Sequence, residues 1–198
     1  GPGLSLYSEN IGLAIMMEVP LVITISQRLG PSTGAATAAA QGDIQFMRWC
    51  NSGGYPVIVL SPTNIPESYH LTKRAFKLAK RFRNPVFIAT DKETVMTTES
   101  VAVSEMTETP DWPEVPDEPV GELLDPYRVN GKIHHYTGSS HTEEGHITKD
   151  PSIIADLNER LREKIESRVD ELSLVKSDLD DGADTLILSY GISARSME

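Results

Sequence analysis

Cysteine is almost absent from this sequence, and its scarcity limits the chemistry that the chain can carry out alone. Cys50 is the single cysteine among 198 residues. No disulfide can form within the chain, and no set of thiolates is available to hold zinc or an iron-sulfur cluster. Because disulfides mark oxidising compartments, we expect a reducing, cytoplasmic location.

Long apolar runs are missing as well. The longest, at residues 19–25, is interrupted by Pro20 and Thr24 and is far shorter than the roughly 18 to 20 residues of a membrane-spanning helix. The composition, 39% hydrophobic and 24% charged, is that of a globular protein. We therefore expect no membrane span and no global disorder.

Positive charge is in deficit, with 18 Lys and Arg against 29 Asp and Glu and a net charge of -11. Nucleic-acid binding requires clustered positive charge and is not expected. Most of the excess lies in residues 91–126, where eleven acidic residues accompany Lys92. This stretch is also rich in proline, which interrupts helices and central strands, so we predict an extended, solvated linker. An acidic docking segment for a basic partner is the alternative.

Three short apolar runs with many β-branched residues are typical of parallel strands that are buried on both faces. They lie at residues 21–25, 56–60 and 85–89. Helices are predicted beside them at residues 4–18, 43–49 and 66–83, from apolar periodicity and from capping residues. This alternation predicts an α/β fold, a parallel sheet with helices on both faces.

After an irregular segment at residues 127–150, an amphipathic helix is predicted from Pro151 to about residue 176, with Asp150 as its N-cap. The apolar run at residues 186–190 predicts a strand that opens a second α/β domain. We divide the chain into a first domain (1–98), a linker with the irregular segment (99–150), a connecting helix (151–182) and the start of a second domain (183–198). Since the sequence begins at Gly1 and stops just after a predicted strand, we expect a fragment.

Two segments of the first domain are candidates for ligand binding. Gly1-Pro2-Gly3 precedes a helix, whose N-terminal backbone donors can accept an anion, although a simple turn explains the same residues. Residues 27–34 follow the carboxyl end of a predicted parallel strand, where open α/β sheets bind their ligands. In this segment the guanidinium of Arg28 can bind a carboxylate with two hydrogen bonds. Structural pairing of Arg28 with an acidic residue is an equally open interpretation.

Several motifs resemble the alpha subunit of the 2-oxoacid:ferredoxin oxidoreductases, over nearly the whole chain. They are Gly-Pro-Gly at residues 1–3, Gln-Arg-x-Gly-Pro-Ser-Thr-Gly at residues 27–34, Gln-Gly-Asp at residues 41–43 and Gly-x-x-His-x-x-x-Gly-His-Ile-Thr at residues 138–148. The motif at residues 27–34 is the most specific of these. The acidic linker is the part that least resembles the family.

The resemblance implies a thiamine diphosphate enzyme with the pyrimidine-type domain fold at residues 1–98. Gly1, Pro2 and Gly3 would contact the cofactor, while a separate beta subunit holds its diphosphate and magnesium. Arg28 would bind the carboxylate of the 2-oxoacid, with Ser32 and Thr33 beside it. In this family the 2-oxoacid is oxidatively decarboxylated to an acyl group on coenzyme A, and the electrons reach ferredoxin through iron-sulfur clusters. The pattern favours 2-oxoglutarate slightly.

The resemblance also implies that catalytic groups lie outside the chain. The family's threonine motif and its activating glutamate are expected upstream of Gly1, and the iron-sulfur cluster in a partner chain. We therefore expect these 198 residues alone to be inactive. Two alternatives stay open, an acetohydroxyacid synthase-like thiamine diphosphate enzyme, which would lack the motif at residues 27–34, and a non-catalytic interaction module of the same fold.

Two further groups of residues attract functional interpretations. Four histidines have no spacing that matches a zinc signature, so we expect no metal site; they are His134, His135, His141 and His146. A basic stripe on the helix at residues 66–83 is interpreted as a solvated face, with contact to the acidic linker or to ferredoxin as alternatives. It consists of Lys73, Lys77, Lys80, Arg81 and Arg83.

Overall fold

A computed structural model describes residues 1–121 and 136–197, together with the backbone of residues 128–129 and 132–133. The helices are α1 (Pro2–Met16), α2 (Ile44–Trp49), α3 (Ile65–Phe82), α4 (Lys92–Met96), α5 (Val103–Thr107), α6 (Pro151–Glu166), α7 (Val169–Leu172) and α8 (Gly191–Arg195). The strands are β1 (Leu21–Leu29), β2 (Ala35–Ala39), β3 (Ile58–Leu60), β4 (Pro85–Asp91), β5 (Arg128–Val129) and β6 (Lys132–Ile133). None of the described helices is long and apolar enough to cross a bilayer.

The main sheet has the strand order β2-β1-β4-β3. Its three apolar strands, β1, β4 and β3, are parallel, as the sequence predicts. The antiparallel strand β2 was not predicted, and it pairs with β1 only at Arg28 and Leu29. Alanine has little preference for strands, so the chain reversal after β1, and not the composition of β2, brings these residues alongside. The sheet is therefore mixed.

Helices cover both faces of the sheet, which confirms the predicted α/β layers. Alternate residues of a strand point to opposite faces, and in β4 Val86 and Ile88 contact one layer while Phe87 and Ala89 contact the other. The first layer comprises side chains of α3, of α6 and of the segment that follows α5. The second comprises side chains of α1 and α2.

Helix α3 begins at a sharp signal and ends in a left-handed residue. The side chain of Asn64 accepts a hydrogen bond from the Glu67 amide at 2.8 Å, and Arg83 caps the other end with a φ of 45°. Lys73, Lys77 and Lys80 are exposed, as predicted. The prediction was wrong for Arg81, whose side chain is 12% exposed. It was also wrong for Arg83, which is buried and donates from Nε to the Glu18 carbonyl at 3.1 Å.

The described part of the acidic linker is mostly exposed, as its composition predicts, but it is not extended throughout. It contains the short helices α4 and α5, and the proline-rich strap that follows (residues 110–120) packs on α3 with Val115 and Val120 buried. Proline offers no N–H for pairing, but its segment still has carbonyl groups, and arginines of α3 supply the donors. Arg74 donates to the Pro113 carbonyl and Arg81 to the Glu118 carbonyl.

The C-terminal third differs from the prediction in two places. Helix α6 starts as expected, with the Asp150 carboxylate accepting from the Ser152 amide at 2.9 Å, but it ends at Glu166 and the separate turn α7 follows. Residues 186–190 form no strand in the described structure, and their apolar side chains are exposed. A strand needs a neighbour to pair its N–H and C=O groups, and none of the described strands is paired with this segment.

A buried ionic cluster joins α6 to the end of α1. The Glu18 side chain is 0% exposed, and its carboxylate contacts Arg160 at 2.8 Å and Lys164 at 3.1 Å. Burial lowers the pKa of Lys164 because it disfavours the charged ammonium, and the neighbouring Glu18 carboxylate opposes this change. Glu18 also has a φ of 51°, a left-handed conformation that non-glycine residues rarely adopt. These contacts hold the α6 layer in position.

Candidate functional site

A cavity of about 710 Å³ lies between the N-terminus of α1 and strand β1. Gly1, Pro2, Gly3 and Arg28, four of the six residues predicted to bind substrate or cofactor, line it together. The remaining wall is largely apolar and comes from α1 and β1, from Leu4, Tyr7, Asn10, Ile11 and residues 21–26. The structure therefore brings the two predicted ligand segments to one place.

The start of α1 is built for close approach. Gly1 is the N-cap and Pro2 occupies the first turn, where its missing N–H costs no helical hydrogen bond. A Cβ atom on Gly1 would lie 3.2 Å from the Ser32 carbonyl oxygen and 3.3 Å from a carboxylate oxygen of Asp43. The α1 N-terminus thus packs directly against the loop after β1, and its unpaired N–H groups favour an anion or a hydrogen-bond acceptor.

The loop after β1 is a tight reversal that leads into β2. Gly34 has a φ of 51°, and a Cβ atom there would lie 1.6 Å from the Leu29 carbonyl oxygen, so no other residue fits without rebuilding the turn. Its amide donates to the Pro31 carbonyl at 3.0 Å. Ser32 and Thr33 are exposed at the tip of this loop, and neither lines the cavity. Their predicted contact with substrate stays a prediction.

Arg28 is half-buried and lines the cavity. Within the described part of the chain its guanidinium has no hydrogen-bond or ion-pair partner. Its backbone amide, by contrast, is held by the Asp43 carboxylate at 3.4 Å. The backbone of Arg28 is anchored while the side-chain donors stay available for a ligand carboxylate.

Asp43 performs a different task from the predicted one. The sequence indicates a helix cap, but its side chain makes no capping hydrogen bond to α2. The carboxylate instead faces both ligand segments, with one oxygen 2.9 Å from the Gly1 nitrogen and the other accepting from Arg28. No local sequence signal distinguishes these two roles, because both begin with an aspartate before a helix.

A polar cluster at the carboxyl ends of β1 and β4 lies next to this loop, and the sequence did not predict that Tyr190 belongs to it. Gln27 is completely buried, and its Nε2 has no partner among the described residues. The Tyr190 hydroxyl lies 3.5 Å from Gln27 Oε1 and donates to the Gln41 carbonyl at 3.2 Å. Burial raises the pKa of Tyr190, and the charges of Asp91 and Asp43 add to the effect, so this hydroxyl stays protonated and can donate.

The histidine loop lies apart from the cavity. His141 is buried, with Nδ1 at 2.9 Å from the Ser139 carbonyl, whereas His146 is exposed. The loop approaches α1, since a Cβ atom on Gly138 would meet Leu13 at 2.7 Å. Across residues 1–121 and 136–197, no three potential metal ligands come together. His134 and His135 lie outside the described residues.

Replacing His141 and His146 together by alanine is expected to leave bound zinc unchanged. His146 is exposed and the His141 ring faces a backbone carbonyl, so the pair does not present two imidazoles to one ion. Zinc content per folded chain, measured by plasma mass spectrometry after dialysis, checks this. The loss of one equivalent of zinc would contradict it.

Comparison with known proteins shows to which family this chain belongs. Residues 1–159 match the family model described as pyruvate flavodoxin/ferredoxin oxidoreductase, thiamine diphosphate-binding. The chain belongs to this family. The oxidoreductase family predicted from the motifs at residues 1–3 and 27–34 is thereby confirmed, and the match includes both segments that line the cavity.

Curated members of the family align along the whole chain. The 2-oxoglutarate synthase subunit KorA of Methanocaldococcus jannaschii is 34% identical over 206 residues, which is 100% of this chain and 56% of that protein. Subunit alpha of the 2-oxoacid:ferredoxin oxidoreductase 1 of Aeropyrum pernix is 32% identical, over 96% of this chain and 32% of that protein. The chain therefore spans about half the length of the 2-oxoglutarate synthase subunits that it matches.

A solved structure of an oxidoreductase shares the fold. The 2-oxoglutarate:ferredoxin oxidoreductase from Magnetococcus marinus, with 2-oxoglutarate, coenzyme A and succinyl-CoA bound, superimposes with a TM-score of 0.69 at 26% identity. The superposition covers 88% of this chain and 32% of the other. The TM-score shows that the two chains share a fold over the superimposed region.

Proposed function

We propose that this chain is part of the alpha subunit of a 2-oxoacid:ferredoxin oxidoreductase. The enzyme would decarboxylate a 2-oxoacid oxidatively, transfer the acyl group to coenzyme A and pass the released electron pair to ferredoxin. The observation that carries the proposal is the Arg28 guanidinium, which lines the cavity and has no acidic partner in the described structure. Family membership supports the same conclusion.

Arg28 is the proposed substrate-binding residue. Every 2-oxoacid has a carboxylate beside its reacting carbonyl, and a planar guanidinium binds a carboxylate through two parallel hydrogen bonds. Because the Asp43 carboxylate fixes the Arg28 amide, the guanidinium presents this fork from a defined backbone position. Ser32 and Thr33 complete the proposed substrate contacts from the loop tip.

The residues at the start of α1 fit the aminopyrimidine end of thiamine diphosphate. Gly1, Pro2 and Gly3 border a cavity whose wall is mainly apolar, which suits an aromatic ring, and the first-turn N–H groups supply donors. Bound thiamine diphosphate supplies carbanion stabilisation, the step that amino-acid side chains perform poorly. This chain orients substrate and excludes water, and the proposed beta subunit holds the diphosphate and magnesium.

Electron transfer is assigned to a partner chain. Cys50, the only cysteine, is buried, and burial raises the pKa of its thiol, so it is unsuited to hold a cluster. We propose that an iron-sulfur cluster on another subunit carries the electrons and that ferredoxin accepts them. The lone cysteine also supports a cytoplasmic location.

Among the 2-oxoacids we favour 2-oxoglutarate. Four curated relatives with 34–35% identity are named 2-oxoglutarate synthase subunits, and the solved oxidoreductase has 2-oxoglutarate bound. Relatives named more broadly as 2-oxoacid:ferredoxin oxidoreductases are 30–32% identical.

Turnover by the full-length alpha subunit with its beta subunit tests the proposal. We expect ferredoxin, or a viologen substitute, to be reduced only when 2-oxoglutarate and coenzyme A are both present, and faster than with pyruvate or branched 2-oxoacids. The 198-residue chain alone should show no activity, because the beta subunit is missing. Formation of an acetohydroxyacid without reduction of ferredoxin would favour the synthase-like alternative, and no thiamine diphosphate binding would favour the interaction module.

A further inference from the structure

We propose that Tyr190 and Ser193 are positioning residues for Arg28 and that they act through Gln41. The inference rests on the proposed function, since it concerns how the same site is held in shape. It assigns to residues near position 190 an influence on substrate affinity that neither the family motifs nor the cavity lining indicates.

The segment at residues 190–193 contacts Gln41 through hydrogen bonds. The Gln41 amide donates from Nε2 to the Tyr190 carbonyl at 3.1 Å, and the Ser193 hydroxyl donates to Gln41 Oε1 at 3.0 Å. The Tyr190 hydroxyl donates to the Gln41 backbone carbonyl at 3.2 Å. Both ends of the Gln41 side chain and its carbonyl are therefore held by residues that lie about 150 positions away.

Gln41 is connected to Arg28 through Gly42 and Asp43, the two residues that follow it in the sequence. A Cβ atom on Gly42 would lie 2.9 Å from the Arg28 carbonyl oxygen, so the two backbones pack in direct contact. The Asp43 carboxylate then accepts the Arg28 amide. Residues 41–43 thus form a backing for Arg28, and a shift of Gln41 is transmitted to the base of its side chain.

The segment at residues 190–193 packs closely against Gln41 and Ser61. Gly191 has a φ of 57°, and a Cβ atom there would lie 2.8 Å from Gln41 Nε2 and 2.9 Å from the Ser61 hydroxyl. The Ser61 hydroxyl in turn donates to the Ala89 carbonyl in β4 at 2.8 Å. Through Ser61 the segment is fixed relative to the sheet, and it can therefore support residues 41–43. Displacements well below 1 Å are enough to weaken a two-pronged carboxylate contact.

Steady-state kinetics of the full-length alpha subunit with its beta subunit tests the proposal, with 2-oxoglutarate as the varied substrate. We expect Tyr190→Phe and Ser193→Ala each to raise the KM for 2-oxoglutarate about fivefold, as loss of one hydrogen bond allows, with kcat within about twofold of wild type. Gln41→Ala should raise it about tenfold or more, since it removes both side-chain bonds. The KM for coenzyme A should not change. Ser196→Ala is the matched control, because within the described structure this exposed hydroxyl donates only to the Ile192 carbonyl of its own helix.

The double variant Ser193→Ala/Gln41→Ala tests the order of the chain of contacts. If Ser193 acts through Gln41, the double variant should have the same KM as Gln41→Ala alone. Unchanged KM in Tyr190→Phe and Ser193→Ala would overturn the proposal, as would equal increases in both substrate KM values. Ser193→Ala removes one exposed hydroxyl, so it decides the question even if Gln41→Ala does not fold. Absence of turnover in the wild-type complex would instead refute the proposed function.

Discussion

Replacing Arg28 by lysine is expected to raise the KM for 2-oxoglutarate about 10- to 100-fold in the complete enzyme. A charged two-pronged hydrogen bond contributes about 1.5 to 3 kcal/mol, and an ammonium group cannot reproduce the planar fork. Lysine keeps the positive charge, so the variant isolates geometry from electrostatic attraction. Steady-state kinetics at several 2-oxoglutarate concentrations measures the effect.

Arg162→Lys is the control for the Arg28 variant. Arg162 is exposed on α6 and, among the described residues, forms ion pairs only with Glu159 and Glu166 of the same helix, so its replacement should leave both kinetic constants unchanged. A KM for 2-oxoglutarate that stays at the wild-type value in Arg28→Lys would show that Arg28 does not bind the carboxylate. Loss of thermal stability in Arg28→Lys alone would favour the structural interpretation of this residue.

Glu18→Gln is expected to lower the free energy of unfolding by about 3 to 5 kcal/mol, the range found when one partner of a buried ion pair is removed. The substitution keeps the shape of the side chain and the left-handed backbone, and removes only the charge that faces Arg160 and Lys164. The Lys164 side chain is 3% exposed, so water cannot replace the lost carboxylate. Urea denaturation of the purified protein measures the change.

The exposed pair on α6 supplies the matched control for this second prediction. Glu166→Gln breaks the contact with Arg162, and both side chains of this pair are more than 40% exposed. It should lower the free energy of unfolding by less than about 1 kcal/mol. Adding Lys164→Met to Glu18→Gln should recover part of the stability, because the double variant no longer buries the ammonium. Equal midpoints for wild type and Glu18→Gln would show that the cluster does not hold α6.

The parallel part of the fold could be predicted because its signals are local. Strand β4 is buried along all seven residues, and such strands show as continuous apolar runs. Strand β2 carries no such signal: its alanine-rich residues are mostly exposed, and they pair with β1 because of the turn before them. Likewise, the apolar periodicity continues beyond Glu166, but the backbone of Arg168 is not helical and ends the regular helix.

The proline-rich strap shows where composition misleads. Acidic residues and prolines are typical of solvated linkers, and the segment indeed forms neither helix nor strand between residues 110 and 120. The strap packs on α3 because Arg74 and Arg81 of that helix bind its carbonyl groups. A hydrophobic surface also accepts Val115 and Val120. Those partners are distant in sequence, so no local window contains the information.

For the candidate site, the sequence motifs include the ligand-facing side chains and residues 41–43, but they do not reveal the contacts between them. Arg28 and the glycines at the start of α1 belong to short motifs and line the cavity together. Gly42 and Asp43 contact the Arg28 backbone. Asp43 in turn contacts Gly1, and Gln41 contacts Tyr190. Such contacts between distant segments follow from the folded topology, which motif spacing does not encode.

The ionic cluster around Glu18 has a practical consequence for where this protein can be cut. The match to the family model ends at residue 159, one residue before Arg160 and five before Lys164, the two cations that α6 brings to Glu18. A protein shortened to that boundary would keep the buried Glu18 carboxylate and lose both of these cations, along with the buried Leu161 and Ile165. The physical unit therefore extends at least to the end of α6 at Glu166, and a boundary drawn from sequence similarity divides it.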